Sequence, residues 1–309
     1  MTTLEPELRA LDLRGSGPIL TVDVEEWYHN CWVPEYIDPS RRPPLIEELD
    51  WLLPELVDWL EEAGRTATFF VLGEVARRVP ARIRGLVRAG HEVACHGDHH
   101  YRVGDLSLGD FRADIERAKA CLEDLLGAPV RGYRSPEWSL RRVGNPRLLE
   151  VARAGFDYDS SLAPFLGAGR LGNPSHPYAI RWREGTELWE LPPFPLSRRF
   201  GLPAGGWTGR VASDRRFEKA LTRQLEEFGT AVWVVHPWEL LDRELPGDLT
   251  GMARLIHDLG RRGFRQVFRR RLQAHAWRSI GQVAGGRSRE AREPNPERLN
   301  GAWGSEGGR

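Results

Sequence analysis

The feature that most constrains this chain is an alternation. Short apolar, β-rich runs are separated by amphipathic helical stretches. GPILTVDVEEW opens with a run read as a buried strand ending near Val24. TATFFVLG, HEVACHG, VRGYRSP, FDYDSS and TAVWVVHPWEL supply further strands, and Leu188 to Leu191 another. Between the first two lies RRPPLIEELDWLLPELVDWLEEAG, where Leu45, Leu49, Leu52, Leu56 and Leu60 recur at helical spacing. Pro44 can start that helix and Gly64 can end it, while Pro54 predicts a kink or a division into two. ARIRGLVRAG, the stretch from Ser107 to Gly127, NPRLLEVARAG and SDRRFEKALTRQLEEFG read as helices, with a last one from about Asp248 to Gly260.

Strands alternating with helices predict a parallel sheet with helices outside it. The order persists long enough to favour a barrel over an open sheet. An eight-fold count is missing, so the expectation is an α/β fold with a distorted or incomplete (β/α) barrel. Residues 1–17 read as an N-terminal extension, 18–283 as the catalytic domain and 284–309 as a disordered tail. Leu162 to Trp207, rich in Gly, Pro and Arg, reads as long loops.

Lys plus Arg and Asp plus Glu balance at 44 each, which removes the simplest argument for nucleic acid or an anionic membrane as partner, though local patches can persist. The opening MTTLEPELRALDLRGSG is polar and acidic, without the pattern of a Sec signal peptide. No apolar run approaches the ~18 residues that span a bilayer. The expectation is a soluble, cytoplasmic protein with no membrane span. Cys31, Cys95 and Cys121 are too few and scattered for a disulfide framework or thiolate zinc site, and read as small buried hydrophobes. The 12 tryptophans are the compositional oddity, because tryptophan stacks on sugar rings as well as packing cores.

The strand runs carry their chemistry at their C-terminal ends: Asp23 and Glu25, then His96 and His100, Arg134, Asp159 and His236. In parallel α/β folds that is the face where active sites are built. His96 and His100 are four residues apart, and on a helical turn two imidazoles so spaced can face one divalent ion. His99 and His91 are nearby alternatives. A hydrolytic metal usually adds a carboxylate and keeps a position for water. Asp23, Glu25 and Glu26 are the candidates. Asp23 and Glu25, two apart on a strand, share a face that Val24 leaves. A buried carboxylate at Asp23 would want a partner such as Arg134.

Together TVDVEEW, ATFFVLG, HEVACHGDHH, RGYRSPEW, FDYDSS and VWVVHP resemble, in order, the motifs of the polysaccharide deacetylase family (NodB homology, carbohydrate esterase family 4), over residues 18 to 240. The resemblance implies a distorted barrel and a hydrolase that removes N-acetyl groups from glucosamine-type sugars. It implies Asp23 as catalytic base held by Arg134, His96 and His100 as metal ligands, and zinc as the metal. It further implies the Glu137 N–H as an oxyanion donor, His236 as general acid, and Asp159 as the group orienting His236. The family's usual second aspartate is replaced by Val24, so Glu25 becomes the third ligand. DVEEW resembles a variant subgroup found with bacterial exopolysaccharide loci. Trp27, Trp138 and Trp238 adjoin these residues and could stack on sugar rings.

The partner implied is an N-acetylated carbohydrate, with a lipid-linked or nucleotide-linked precursor fitting a cytoplasmic enzyme. Two rivals stand beside this reading. One is an allantoinase-like or other small-amide hydrolase on the same fold, possibly metal-independent. The other is a non-catalytic sugar-binding protein.

Overall fold

A computed structural model describes residues 6–29, 40, 47–167, 169–242 and 251–285. Cys31, the start of the first helix and most of the expected tail lie outside the described residues.

Seven strands run parallel: β2 (Gly17–Val24), β3 (Thr68–Val71), β4 (Glu92–Cys95), β5 (Gly132–Tyr133), β6 (Tyr158–Asp159), β8 (Glu187–Glu190) and β11 (Thr230–Val235). β7 (Tyr178–Arg181) joins β8 antiparallel, and β1 (Glu7–Ala10) pairs antiparallel with β7. The sheet order is β1-β7-β8-β6-β5-β4-β3-β2-β11. The sheet curls without closing. Its gap is spanned by an isolated bridge from Pro193 to Val232, where the Phe194 N–H also donates to the Val232 carbonyl at 3.0 Å. This is the distorted barrel that the alternation predicts. The stretch read as an extension supplies β1, the strand expected at Leu188 to Leu191 is β8, and the surrounding stretch read as loops supplies β7 and the hairpin of β9 (Pro195–Ser197) with β10 (Leu202–Pro203).

The helices are α1 (Glu47–Ala63), α2 (Gly73–Arg78), α3 (Pro80–Arg88), α4 (Leu108–Leu126), α5 (Arg147–Arg153), α6 (Gly206–Val211), α7 (Asp214–Phe228), α8 (Gly251–Asp258), α9 (Phe264–Ala274) and α10 (Ile280–Gly285). Pro54 sits inside α1 without dividing it. The ends of α4 are fixed locally: Ser107 Oγ accepts from the Asp110 N–H at 3.1 Å, and Gly127 closes the last turn in the left-handed conformation.

Side-chain alternation divides the core in two. Leu20, Val22 and Val24 pack outward with Leu49, Leu52, Leu56 and Leu60 of α1, all essentially buried. Each such leucine contributes about 1.5–3 kcal/mol relative to exposure. Ile19, Phe70, Ala94, Tyr158 and Val232 point into the barrel, where Ile280 and Val283 of α10 join them. The Ile280 N–H donates to Thr68 Oγ1 at 2.7 Å, so α10 is bonded to the strand wall at its N-terminal end. Thr21 and Asp23 fall on the same inward side of β2 as Ile19, because successive side chains alternate. Chemistry at the opposite, C-terminal end therefore faces a common centre.

Candidate active site

Asp23 is the last inward residue of β2. Its Oδ1 accepts from Arg134 Nη1 at 2.5 Å, just beyond the end of β5. Arg134 is wholly buried and fully engaged. Its Nη1 also donates to Thr21 Oγ1 at 3.0 Å, Nη2 to Ser160 Oγ at 2.8 Å and Nε to the Ser160 carbonyl at 3.1 Å. The guanidinium lies 4.1 Å from the Phe70 ring centroid. Such a pair is held from four sides, so its geometry is fixed before any substrate arrives.

Glu25, His96 and His100 meet beside it. One ligand atom from each lies within 4.8 Å of the others. His100 Nε2 is 2.6 Å and His96 Nε2 3.7 Å from Glu25 Oε2. His96 Nδ1 lies 2.8 Å from the Arg134 carbonyl, which can only accept. Nδ1 is thereby the donor to that carbonyl, and Nε2 is the nitrogen turned toward the carboxylate, where it could bind a metal. All three side chains are buried. Two histidines and a carboxylate with this tautomer are a donor set that fits zinc or a similar divalent ion. Burial alone would raise the Glu25 pKa, yet His100, His236 and His96 hold it well below the usual carboxylate range.

The two histidines converge by a different route from the one their spacing suggests. Residues 96 to 100 form no helix; the chain turns through Gly97 at φ +85° and His100 at φ +58°. A Cβ at Gly97 would lie 3.0 Å from Asp114 Oδ2, so the tight loop requires glycine. His99 turns away toward Glu74 and Asp98, at 3.2 and 3.3 Å. His91 packs against Phe69. Glu26 is also elsewhere. It accepts from the Leu49 N–H at 3.5 Å, and burial together with Glu48 pushes its pKa up to about 9.

His236 follows β11 and sits 3.8 Å from Asp23 Oδ2 and 3.7 Å from Glu25 Oε1 through Nε2. Its expected partner, Asp159, is not beside it. Asp159 accepts from the Ser161 N–H at 3.2 Å and Ser161 Oγ at 2.5 Å, and it faces Glu190 across β6 and β8. The partner of His236 is Glu239, whose Oε2 lies 3.0 Å from Nδ1 and also accepts the His236 backbone N–H at 2.9 Å. The physical reason is local. Pro237 starts a 3-10 turn, His236 becomes its N-cap, and the residue three further on reaches back in a capping box. Arg210 Nη1 supports Glu239 from behind at 3.3 Å. Burial would lower the His236 pKa, but Glu239, Glu25 and Asp23 outweigh it and raise it to about 9. The spacing His-Pro-Trp-Glu was the signal that sequence reading could have used.

These groups line one cavity of about 460 Å³. Glu137, Trp138 and Trp238 line it too. Trp138 meets Phe165 edge to face, and Trp238 stacks on His236 with centroids 5.7 Å apart. Trp27 does not reach the cavity. It is buried in the core, and its carbonyl lies 3.0 Å from His257 Nε2. Sequence reading missed Arg210, Phe165 and Trp207, which complete the lining. Among the described residues, His100, Glu137, Trp138 and Arg141 are the non-glycine positions at positive φ, and all four line this cavity. Left-handed backbone of this kind concentrates at sites where function over-determines geometry.

The chain is similar in sequence and in fold to known proteins. Residues 50–156 match the family model described as polysaccharide deacetylase. A peptidoglycan deacetylase of Helicobacter pylori is 27% identical over 129 residues, covering 42% of this chain and 40% of its own. A chitooligosaccharide deacetylase of Sinorhizobium fredii is 47% identical over 92 residues, covering 27% and 39%. The chain thus matches about two fifths of the length of these curated relatives. In fold, it resembles a solved Mycobacterium smegmatis structure inferred to be a polysaccharide deacetylase, with TM-score 0.60, 21% identity, and 90% and 94% of the two chains covered. A Pseudomonas aeruginosa structure of the same description gives TM-score 0.54 at 19% identity, over 88% and 91%. Residues 50–156 are thus similar to the polysaccharide deacetylase family, and the fold as a whole is similar to that of solved structures of the same description.

Proposed function

We propose that this chain hydrolyses the N-acetyl group of an N-acetylated sugar or oligosaccharide, using a divalent metal that is most simply zinc. One observation carries the reading: Glu25, His96 and His100 converge at a cavity wall within reach of both an arginine-held carboxylate and a carboxylate-held imidazole. Non-catalytic sugar binding would need neither the acid nor the base.

The roles follow from position. A divalent ion held by Glu25, His96 and His100 would supply Lewis-acid polarisation of the acetyl carbonyl and acidify water. Asp23, oriented by Arg134, takes the proton of the attacking water. The Glu137 N–H, in the left-handed turn at the cavity wall, would donate to the developing oxyanion. His236, held by Glu239 and charged at neutral pH, protonates the departing amine as the C–N bond breaks, leaving acetate and the free amino sugar. Trp138 and Trp238 offer faces for sugar rings. The DVEEW motif supports bacterial exopolysaccharide biosynthesis as the setting.

Acetate release from N-acetylated chitooligosaccharides tests the activity. The reading expects release that chelation abolishes and zinc restores. Acetate release that survives complete metal removal would overturn the metal-dependent mechanism, and no release from these sugars with hydrolysis of a small cyclic amide would favour the small-amide hydrolase reading.

A further inference from the structure

The exposed apolar surface of this molecule is unevenly distributed. Eleven large hydrophobic side chains are exposed among the described residues, and eight of them lie in three segments around the cavity. Leu166, Leu171 and Phe200 form one group; Leu166 is 69% and Phe200 60% exposed. They are close together, since the Leu166 N–H donates to the Gly201 carbonyl at 3.0 Å, and a Cβ at Gly201 would lie 2.5 Å from Leu171 Cδ2. The second group is Trp207 and Val211 on α6 with Met252, Leu255 and Leu259 on and just after α8.

α8 is turned inside out. A surface helix normally hides its apolar stripe. Here His257 is buried, while Met252 and Leu255 are 59% and 55% exposed, and Leu259 continues their line. α6 does the same with Trp207 and Val211, one turn apart. The two stripes abut, since a Cβ at Gly260 would lie 2.8 Å from Val211 Cγ1. Leu166, Gly201, Trp207 and Ile256 also line the cavity, so both groups border its mouth.

The charge of the same segments is equally uneven. The whole chain is neutral, with 44 basic and 44 acidic residues. Segments 162–173, 195–211 and 251–262 contain Arg170, Arg198, Arg199, Arg210, Arg254, Arg261 and Arg262 against Asp258 alone. Of these, Arg210 and Arg261 are buried and Arg198 and Arg254 are ion-paired with Glu227 and Asp258, so Arg170, Arg199 and Arg262 are the exposed basic residues beside the exposed apolar side chains. Apolar tips that enter the acyl boundary, flanked by arginines that meet anionic headgroups, are the two components of peripheral membrane binding.

We propose that this rim docks on an anionic lipid bilayer, with the cavity mouth facing the headgroups. The surface carries this inference independently of the reaction proposed above. No helix among the described residues is long and apolar enough to cross a membrane, so the contact is a peripheral one.

Flotation of the full chain with phosphatidylglycerol-rich vesicles and with pure phosphatidylcholine vesicles tests it. The expected result is co-flotation with the anionic vesicles that weakens as salt is raised. Since each arginine near such a surface is worth roughly a fivefold factor in binding, R170E/R199E should reduce binding by more than about tenfold. M252S/L255S should reduce it comparably, through lost insertion. Both double variants should keep the wild-type circular dichroism and rate of acetate release from a soluble substrate, because none of these four residues lines the cavity. Absence of flotation, equal flotation with neutral vesicles, or unaltered binding by both variants would overturn the proposal. A dimer in sedimentation velocity that M252S/L255S dissolves, without vesicle binding, would overturn it in favour of a second copy.

Discussion

Two carboxylate clusters stand at the C-terminal ends of different strands of one sheet, and their surroundings set them apart. Glu25 is surrounded by His96, His100 and His236, and its pKa is held well below the ordinary range despite burial. Asp159 and Glu190 face each other across β6 and β8; burial and their mutual repulsion raise Glu190 well above that range, and burial raises Asp159 too. The first cluster keeps a charge that can hold a cation. The second holds its protons more tightly, and Ser161 donates to Asp159 and the Leu162 N–H to Glu190. Burial is common to both, so the imidazoles separate a candidate ligand from a structural carboxyl. Glu26, adjacent to Glu25 but facing Glu48, makes the same point within one residue step.

The largest effect expected is at the base. Asp23→Asn should lower acetate release by about 10²–10⁴-fold, the usual worth of general base catalysis, while near-ultraviolet circular dichroism stays native. Next comes the metal. Glu25→Gln should weaken zinc binding by more than the roughly 10–100-fold typical of outer-shell changes. Glu26→Gln should leave zinc affinity as it is, because that carboxyl already carries a proton at neutral pH. Equal losses in a zinc titration of the two variants would break the comparison.

Glu239→Gln probes the partner of His236. The account expects kcat to fall by up to about 10²-fold with little change in KM, since the imidazole loses its orienting charge rather than a substrate contact. Asp159→Asn should have a much smaller effect. The reverse ranking would restore Asp159 to that role.

The smallest effect concerns Glu190. A carboxyl whose folded pKa is raised contributes stability that is complete below its unfolded pKa and is lost as pH rises through the folded value. The Glu190 contribution to stability against denaturant should therefore slope downward as pH climbs above the ordinary carboxylate range. Glu190→Gln should flatten that slope and leave acetate release unchanged. An unaltered slope would show that Glu190 keeps no proton.

Much of this was legible in the sequence because parallel strands end in one place. A run such as TVDVEEW states both the strand and the side on which Asp23 and Glu25 emerge, and the structure follows that alternation. Four features escaped. The meeting of His96 and His100 depends on left-handed backbone at Gly97 and His100, which spacing does not encode. The Glu239 contact depends on a capping box, a local hydrogen-bond pattern hidden by the more familiar search for a distant aspartate. Helix α9 was missed because its arginines mask Phe264, Phe268 and Leu272, the buried line at four-residue intervals. Strands β7, β9 and β10 have four residues or fewer, too short for periodicity to rise above the surrounding Gly and Pro.

The central claim is that the charged cluster, and not its neighbours, holds the metal. A crystal structure of the zinc-loaded protein, with anomalous scattering recorded at the zinc edge, tests this most directly. The account predicts a single strong peak bounded by a Glu25 carboxylate oxygen, His96 Nε2 and His100 Nε2, in the cavity that Asp23 and His236 face. A peak ligated by Glu26 or His99, or none in this cavity under saturating zinc, would contradict it.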